Sequence, residues 1–299
     1  NECALVYRDY RLTYRELNEK SNQIAHYLIK KYSIKADDSV ALLLDRSEFI
    51  LLSMLGVLKS GAAILPINPD FPQQKIADIL LEAKPKCILT DESMNKEKLD
   101  SILILISAAS ENINNEFITF EPIEKISAEM IDDLDSKENP LLQTKEHHLC
   151  CILFTSGTTG KPKGALIEHR NANNSIAPYL EISKLTSKFE VSMTCIRYNV
   201  MIGFLAIMLE ISNGKTLHYI DDETRVDSSK LKEYICKHNI QNGYIPPALL
   251  NVNELLPLKL IMIAGEVLDK TVLDFYMRNG AKVLNIYGNT ETAIISSKL

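Results

Sequence analysis

Cys150-Cys151-Ile152-Leu153-Phe154-Thr155-Ser156-Gly157-Thr158-Thr159-Gly160-Lys161-Pro162-Lys163-Gly164 joins an apolar run to a hydroxyl- and glycine-rich loop with two lysines. The run reads as a buried strand that stops at the loop. Glycines let backbone approach a bulky anion and adopt positive φ, so successive N–H groups can converge on phosphate oxygens. The hydroxyls of Thr155, Ser156, Thr158 and Thr159 add donors, and Lys161 and Lys163 add charge. This is phosphate-loop chemistry, but not a Walker A loop. Pro162 follows the lysine where Ser or Thr is required, and Gly157 lies too close to Gly160.

Working outward, the flanks alternate strand and helix. Upstream, Val40–Leu44 and Ala62–Leu65 read as strands around a helix at Arg46–Leu58, followed by a helix at 73–83 and a strand at 86–90. Residues 91–148 have little apolar periodicity and read as a surface excursion with a short strand or two. Downstream, Gly164–Glu168 returns as a hairpin strand, followed by helices at Asn171–Leu180 and Val200–Glu210. Ser228–His238 and Asp269–Arg278 read as helices, and Gly243–Ile245, Leu258–Ala264 and Val283–Tyr287 as strands. The expected fold is α/β, with mostly parallel helix-covered sheets in two subdomains, about 1–170 and 171–299.

The 299 residues can bury a sizeable core, and a net charge of −6 without a basic block argues against a nucleic-acid face. Six cysteines form no metal spacing and suit reduced thiols in a cytoplasmic protein. The longest uncharged apolar run, Val200 to Leu209, is too short to span a bilayer, and the N-terminus has no signal-peptide pattern.

TSGTTGKPKG at 155–164 resembles the signature loop of adenylate-forming enzymes, which include acyl-CoA synthetases, luciferases and the adenylation domains of nonribosomal peptide synthetases. Three further motifs follow that family's order. Leu12-Thr13-Tyr14-Arg15-Glu16-Leu17 resembles the first core motif of peptide-synthetase adenylation domains, and also opens a helix with a capping box. Leu58-Lys59-Ser60-Gly61-Ala62-Ala63-Ile64-Leu65-Pro66-Ile67 resembles the second, with Asn68 where an aspartate is usual. Asn285-Ile286-Tyr287-Gly288-Asn289-Thr290-Glu291 resembles N-x-Y-G-P-T-E, with Asn289 in place of the proline, a change expected to loosen the turn.

The resemblance implies an adenylation-domain N-terminal core that uses ATP and Mg²⁺ and works with a phosphopantetheine-bearing carrier protein and neighbouring synthetase domains. It implies that Thr155, Ser156, Gly157, Thr158, Thr159, Gly160 and Lys163 hold ATP phosphates. Asn285 and Tyr287 would hold adenine, with Gly265 and Gly288 allowing close approach. Thr290 would contact the α-phosphate, and Glu291 would ligate the metal; Thr155, Lys163, Thr290 and Glu291 form the implied catalytic set. The family's ribose-binding aspartate and its mobile C-terminal subdomain with a catalytic lysine would lie beyond Leu299.

Carried over to the acid pocket, the resemblance implies Met201, Ile202, Leu205, Tyr244, Met262, Ala264, Ile286, Ile294 and Ile295. Amino-acid-activating relatives place an aspartate for the substrate ammonium at the position of Met201. An apolar residue there resembles the α-keto-acid-selecting domains of depsipeptide synthetases. A competing alignment takes Phe189-Glu190-Val191-Ser192 as an F-D-x-S motif and makes Glu190 the acid. Amino-acid activation, a stand-alone acyl- or aryl-CoA ligase, and a degenerate non-catalytic domain remain open alternatives.

Overall fold

β-Strand segments with apolar residues on both faces build two separate sheets. The computed structural model describes residues 2–92, 94–109, 119–129, 135–141, 144–156, 162–175 and 189–298. The chain divides into two compact units, one formed by Arg15–Arg170 and the other by Asn1–Tyr14 with Asn171–Leu299.

In the 15–170 unit the strands are β3 (Ser39–Leu42), β4 (Ala63–Pro66), β5 (Ile88–Thr90), β6 (Phe120–Pro122), β7 (Leu149–Ser156) and β8 (Pro162–Glu168). Their order is β6-β5-β3-β4-β7-β8, parallel except for the antiparallel β7–β8 pair. β3 and β4 are buried at every residue, as strands covered on both faces must be. The helices are α1 (Tyr14–Tyr32), α2 (Phe49–Ser60), α3 (Gln73–Ala83), α4 (Lys96–Ala109) and α5 (Ile123–Glu129). β6 supplies a short strand of the kind expected within 91–148, but α4 corrects the reading of that stretch as a surface excursion: Ile102 and Ile106, one helical turn apart, pack into the core with Ile76, Leu80 and Ile88.

The other unit holds an eight-stranded sheet. Its strands are β1 (Cys3–Tyr7), β2 (Tyr10–Thr13), β9 (Val191–Thr194), β10 (Thr216–Tyr219), β11 (Asn242–Tyr244), β12 (Leu260–Ala264), β13 (Lys282–Asn289) and β14 (Ala293–Lys298). The order is β14-β13-β12-β11-β9-β10-β1-β2, with six parallel strands between antiparallel edges. β1 pairs with β10 across about two-thirds of the chain, so residues 1–14 belong here and not with 15–170, as the sequence boundary at 170 had implied.

Helices cover both faces of this sheet. α6 (Met201–Ser212) is apolar almost all round, the signature of a buried helix. α7 (Asp222–Val226), α8 (Ser228–Lys237) and α9 (Lys270–Arg278) begin at Asp221, Asp227 and Asp269, whose carboxylates each accept two backbone N–H bonds. Strand alternation sorts the core. Leu260, Met262, Leu284 and Ile286 pack with Ala206 and Leu209 of α6, whereas Ile261, Ile263 and Val283 pack with Leu231, Ile235 and Tyr276 of α8 and α9. The expected helix at Asn171–Leu180 is helical at 171–175, and its remainder lies outside the described residues.

Candidate active site

β12 and β13 run parallel, with Met262 opposite Leu284 and Ala264 opposite Ile286, and both end at the same edge of the sheet. Beyond their carboxyl ends lie two cavities, the place where ligands bind in open α/β sheets. Alternation along β13 sends Val283, Asn285 and Tyr287 to the face covered by α9, and Leu284 and Ile286 to the face covered by α6.

The cavity on the α9 side has a volume of about 500 Å³ and is bordered by Asn285, Tyr287, Gly265 and Gly288, with Val267, Leu268 and Met277 as apolar walls. Tyr287 is 66 % exposed and Val267 94 % exposed, so this mouth presents an unusual amount of open apolar surface. Gly265 sits at φ +86°, a left-handed conformation that strains any residue bearing a Cβ.

The cavity on the α6 side is smaller, about 170 Å³, and is lined by Val200, Met201 and Ile202 at the start of α6, by Ala264 and Ile286, and by Gly288, Asn289 and Thr290. Val200 caps α6 in an extended conformation without a side-chain hydrogen bond. Gly265, Ile286 and Gly288 border both cavities, so the two spaces share a rim. Tyr244 and Met262 lie in the apolar cluster with Ile196, Leu284 and Ile286 and do not border the cavity, and neither does the buried Leu205. Ile294 pairs with Gly288 through the β13–β14 ladder, but the side chains of Ile294 and Ile295 lie outside the described residues.

Glu190 stands elsewhere. It precedes β9, which runs parallel to β11 and through it to β12 and β13. Glu190 is therefore at the amino-terminal edge of the sheet, opposite the edge that carries the cavities.

The turn after β13 is held by hydrogen bonds to a side chain. Asn289 Oδ1 accepts from the Thr292 backbone N–H at 2.8 Å and from Thr292 Oγ1 at 2.5 Å, closing the turn that a proline would otherwise fix. Asn289 thus supplies hydrogen bonds of its own at the position where the motif has a proline. Thr290 is half-buried and Glu291 exposed within the same turn. In the 15–170 unit, Thr155 faces Lys163 and Ser156 faces Pro162 across the β7–β8 ladder. Gly157, Thr158, Thr159 and Gly160 lie outside the described residues.

Sequence reasoning missed Val200, Asn289, Val267 and Met277 as lining residues. Of these, only Asn289 gave a signal, as a departure from a motif.

Known proteins resemble this chain along its whole length. A family model described as AMP-binding enzyme matches residues 1–298. The chain is 32% identical over 308 residues to N-(5-amino-5-carboxypentanoyl)-L-cysteinyl-D-valine synthase of Amycolatopsis lactamdurans, covering 100% of this chain and 8% of that protein. It is 32% identical over 295 residues to surfactin synthase subunit 2 of Bacillus subtilis (strain 168), covering 95% of this chain and 8% of that one. The chain therefore spans less than a tenth of these relatives. Among solved structures, the Klebsiella oxytoca NpsA N-terminal subdomain in complex with 3-hydroxybenzoyl-AMSN shares the fold with a TM-score of 0.79 at 20% identity, over 99% of this chain and 71% of that one. VinN in complex with 3-methylaspartate does so with a TM-score of 0.81 at 16% identity, over 99% and 76%.

Proposed function

The chain belongs to the AMP-binding enzyme family, and from that premise we propose that it activates a small carboxylic acid with ATP. The acid's oxygen attacks the α-phosphorus, pyrophosphate leaves, and the acyl-adenylate then passes its acyl group to the phosphopantetheine thiol of a carrier protein with release of AMP. The observation that carries this reading is the pair of cavities on opposite faces of β13, sharing the rim at Gly265, Ile286 and Gly288. Nucleotide on the α9 side and acid on the α6 side would bring the two reacting groups together at that rim, which is the positioning such a displacement needs.

In this reading Tyr287 offers an exposed ring to adenine, and Asn285, beside it on the same face, offers hydrogen bonds to the base. Thr290, lining the smaller cavity, holds the α-phosphate. The exposed Glu291 carboxylate fits Mg²⁺, a hard cation that keeps waters and substrate oxygens around one or two protein carboxylates. Mg²⁺ supplies charge neutralisation on the phosphates.

Among the described residues, none that lines the acid cavity carries a carboxylate. A substrate ammonium buried against Met201 would stand unpaired, a loss of about 3–5 kcal/mol when one half of a buried pair is missing. A neutral α-keto group carries no such penalty, and the apolar walls suit a branched aliphatic chain. We therefore assign a branched 2-oxo acid as substrate, for incorporation into a depsipeptide.

Pyrophosphate exchange on the full-length protein tests this. Exchange should be stronger with 2-oxo-4-methylpentanoate or 2-oxo-3-methylbutanoate than with leucine or valine, and Met201→Asp should shift preference toward the amino acid. Exchange with leucine or valine and none with their keto analogues would overturn the keto-acid reading. Acyl transfer to free coenzyme A as efficient as to a carrier protein would instead assign a CoA ligase.

A further inference from the structure

Among the described residues the smaller cavity has two polar side chains on its lining, Asn289 and Thr290, and the reading above commits Thr290 to phosphate. Asn289, exposed in the turn after β13, is the other polar residue bordering this space. Its orientation is fixed by chemistry. A backbone N–H can only donate, so the atom bonded to Thr292 N at 2.8 Å must be the amide oxygen, and the Thr292 hydroxyl donates to that same oxygen. The amide NH₂ of Asn289 makes no hydrogen bond among the described residues, and it presents two donors and no acceptor.

We infer that the Asn289 NH₂ group reads the α-substituent of the acid, donating to a keto oxygen and disfavouring an ammonium. This inference rests on the proposed acid-activating function. Among the described residues, the other lining side chains, from Val200, Met201, Ile202, Ala264 and Ile286, offer no hydrogen-bond donor. A donor at this point therefore sets the sign of the preference: a keto oxygen accepts from it, whereas an ammonium meets another donor. Specificity here is a difference between two affinities, produced by a repulsive contact as much as an attractive one.

The test is the ratio of pyrophosphate exchange with 2-oxo-4-methylpentanoate to that with leucine, measured on the full-length protein. Asn289→Asp keeps an oxygen for Thr292 but replaces the donor with a carboxylate oxygen. Asn289→Pro keeps the turn through its fixed φ but removes the amide. The keto-to-amino ratio should fall at least tenfold in Asn289→Asp and severalfold in Asn289→Pro, with KM for ATP changed less than twofold. A ratio within twofold of wild type in both variants would overturn the inference while leaving the acid-activating reading intact. Wild-type preference for leucine would instead overturn the keto-acid assignment.

Discussion

Lys215 Nζ lies 3.1 Å from Glu210 Oε2, with the two side chains only 7% and 1% exposed. The pair meets at ion-pair distance, although Oε2 accepts no aligned hydrogen bond, while Oε1 accepts from Tyr244 Oη at 3.0 Å. A second tyrosine ties in from the chain's start: Tyr14 Oη donates to the Lys215 and Ile211 carbonyls, and burial, with the Glu210 charge, pushes its phenol up to about 12. The ion pair therefore anchors the end of α6, three turns below the acid cavity.

Removing one partner leaves the other charge buried. Lys215→Met should destabilise the protein by about 3–5 kcal/mol, while the double variant Lys215→Met/Glu210→Leu should recover most of that loss. Thermal denaturation of the three proteins decides it. Additive losses in the double variant would mean that the pair is not energetically coupled.

His218 gives the fold an acid limit. Its Nδ1 lies 2.9 Å from Tyr234 Oη and its ring 5.0 Å from that of His238; burial first, and then His238 and Arg11, push its pKa down to about 3. A histidine held neutral in the folded state binds its proton mainly when unfolded. Its contribution is therefore complete above the unfolded pKa of about 6.5 and is lost as pH falls from there toward 3. At pH 5 the loss should be about 2 kcal/mol, from 1.36 kcal/mol per unit of pH. His218→Phe should flatten the stability profile between pH 6.5 and 5, and an equally steep profile in that variant would assign the acid sensitivity to another group.

The parallel strands and their sites were partly legible because β12 and β13 are apolar runs that end in Gly265 and Gly288, with helices between them. β9 and β10 were not. Val191-Ser192-Met193-Thr194 and Thr216-Leu217-His218-Tyr219 carry polar residues at buried positions, which hides the apolar pattern a buried parallel strand usually shows. The pairing of β1 with β10 has no local signature, since its partner lies more than two hundred residues away. α4 was hidden because Leu103-Ile104-Leu105 fills the faces between Ile102 and Ile106 and erases the helical period; Ile104 is in fact exposed. At the site, a motif gave Asn285 and Tyr287 and spacing along the chain gave Met201, but the flank of Val267 and Met277 depends on how α9 lies against β13. That is tertiary information.

Gly56 marks the closest approach of α2 to α1. A Cβ at this position would lie 2.5 Å from Ile24 Cγ2 and 2.6 Å from Ile24 Cβ, and just along α2, Lys59 Nζ donates to Asn18 Oδ1, Ser21 Oγ and Asn22 Oδ1 at 2.7, 2.8 and 2.7 Å. Alanine is the better helix former by about 1 kcal/mol, but forcing a methyl into a packed contact costs about 1–3 kcal/mol. The contact is to a branched Cβ that cannot swing aside, so the clash should win. Gly56→Ala should lower Tm, and since Ile24 Cβ itself is in the way, Ile24→Gly and not Ile24→Ala should relieve most of the cost of the same substitution relative to its own background. A Gly56→Ala protein more stable than wild type would show that α1 gives way.

Alternation along β13 predicts that nucleotide and acid binding can be separated by single substitutions one face apart. Tyr287 is exposed beside the 500 Å³ cavity, so Tyr287→Ala removes no core packing and should leave Tm unchanged. It should raise KM for ATP about ten- to a hundredfold, the equivalent of about 1.5–3 kcal/mol for losing a buried aromatic ring. Ala264 lines the 170 Å³ cavity on the other side, and Ala264→Leu fills part of that space. It should lower kcat/KM for branched acids at least tenfold, favour shorter ones, and leave KM for ATP within about twofold. Pyrophosphate exchange with varied ATP and varied acid on both variants reads out the two effects separately. If Tyr287→Ala changed acid preference, or Ala264→Leu raised KM for ATP as much as Tyr287→Ala does, the two cavities would not divide the substrates as their faces of the strand require.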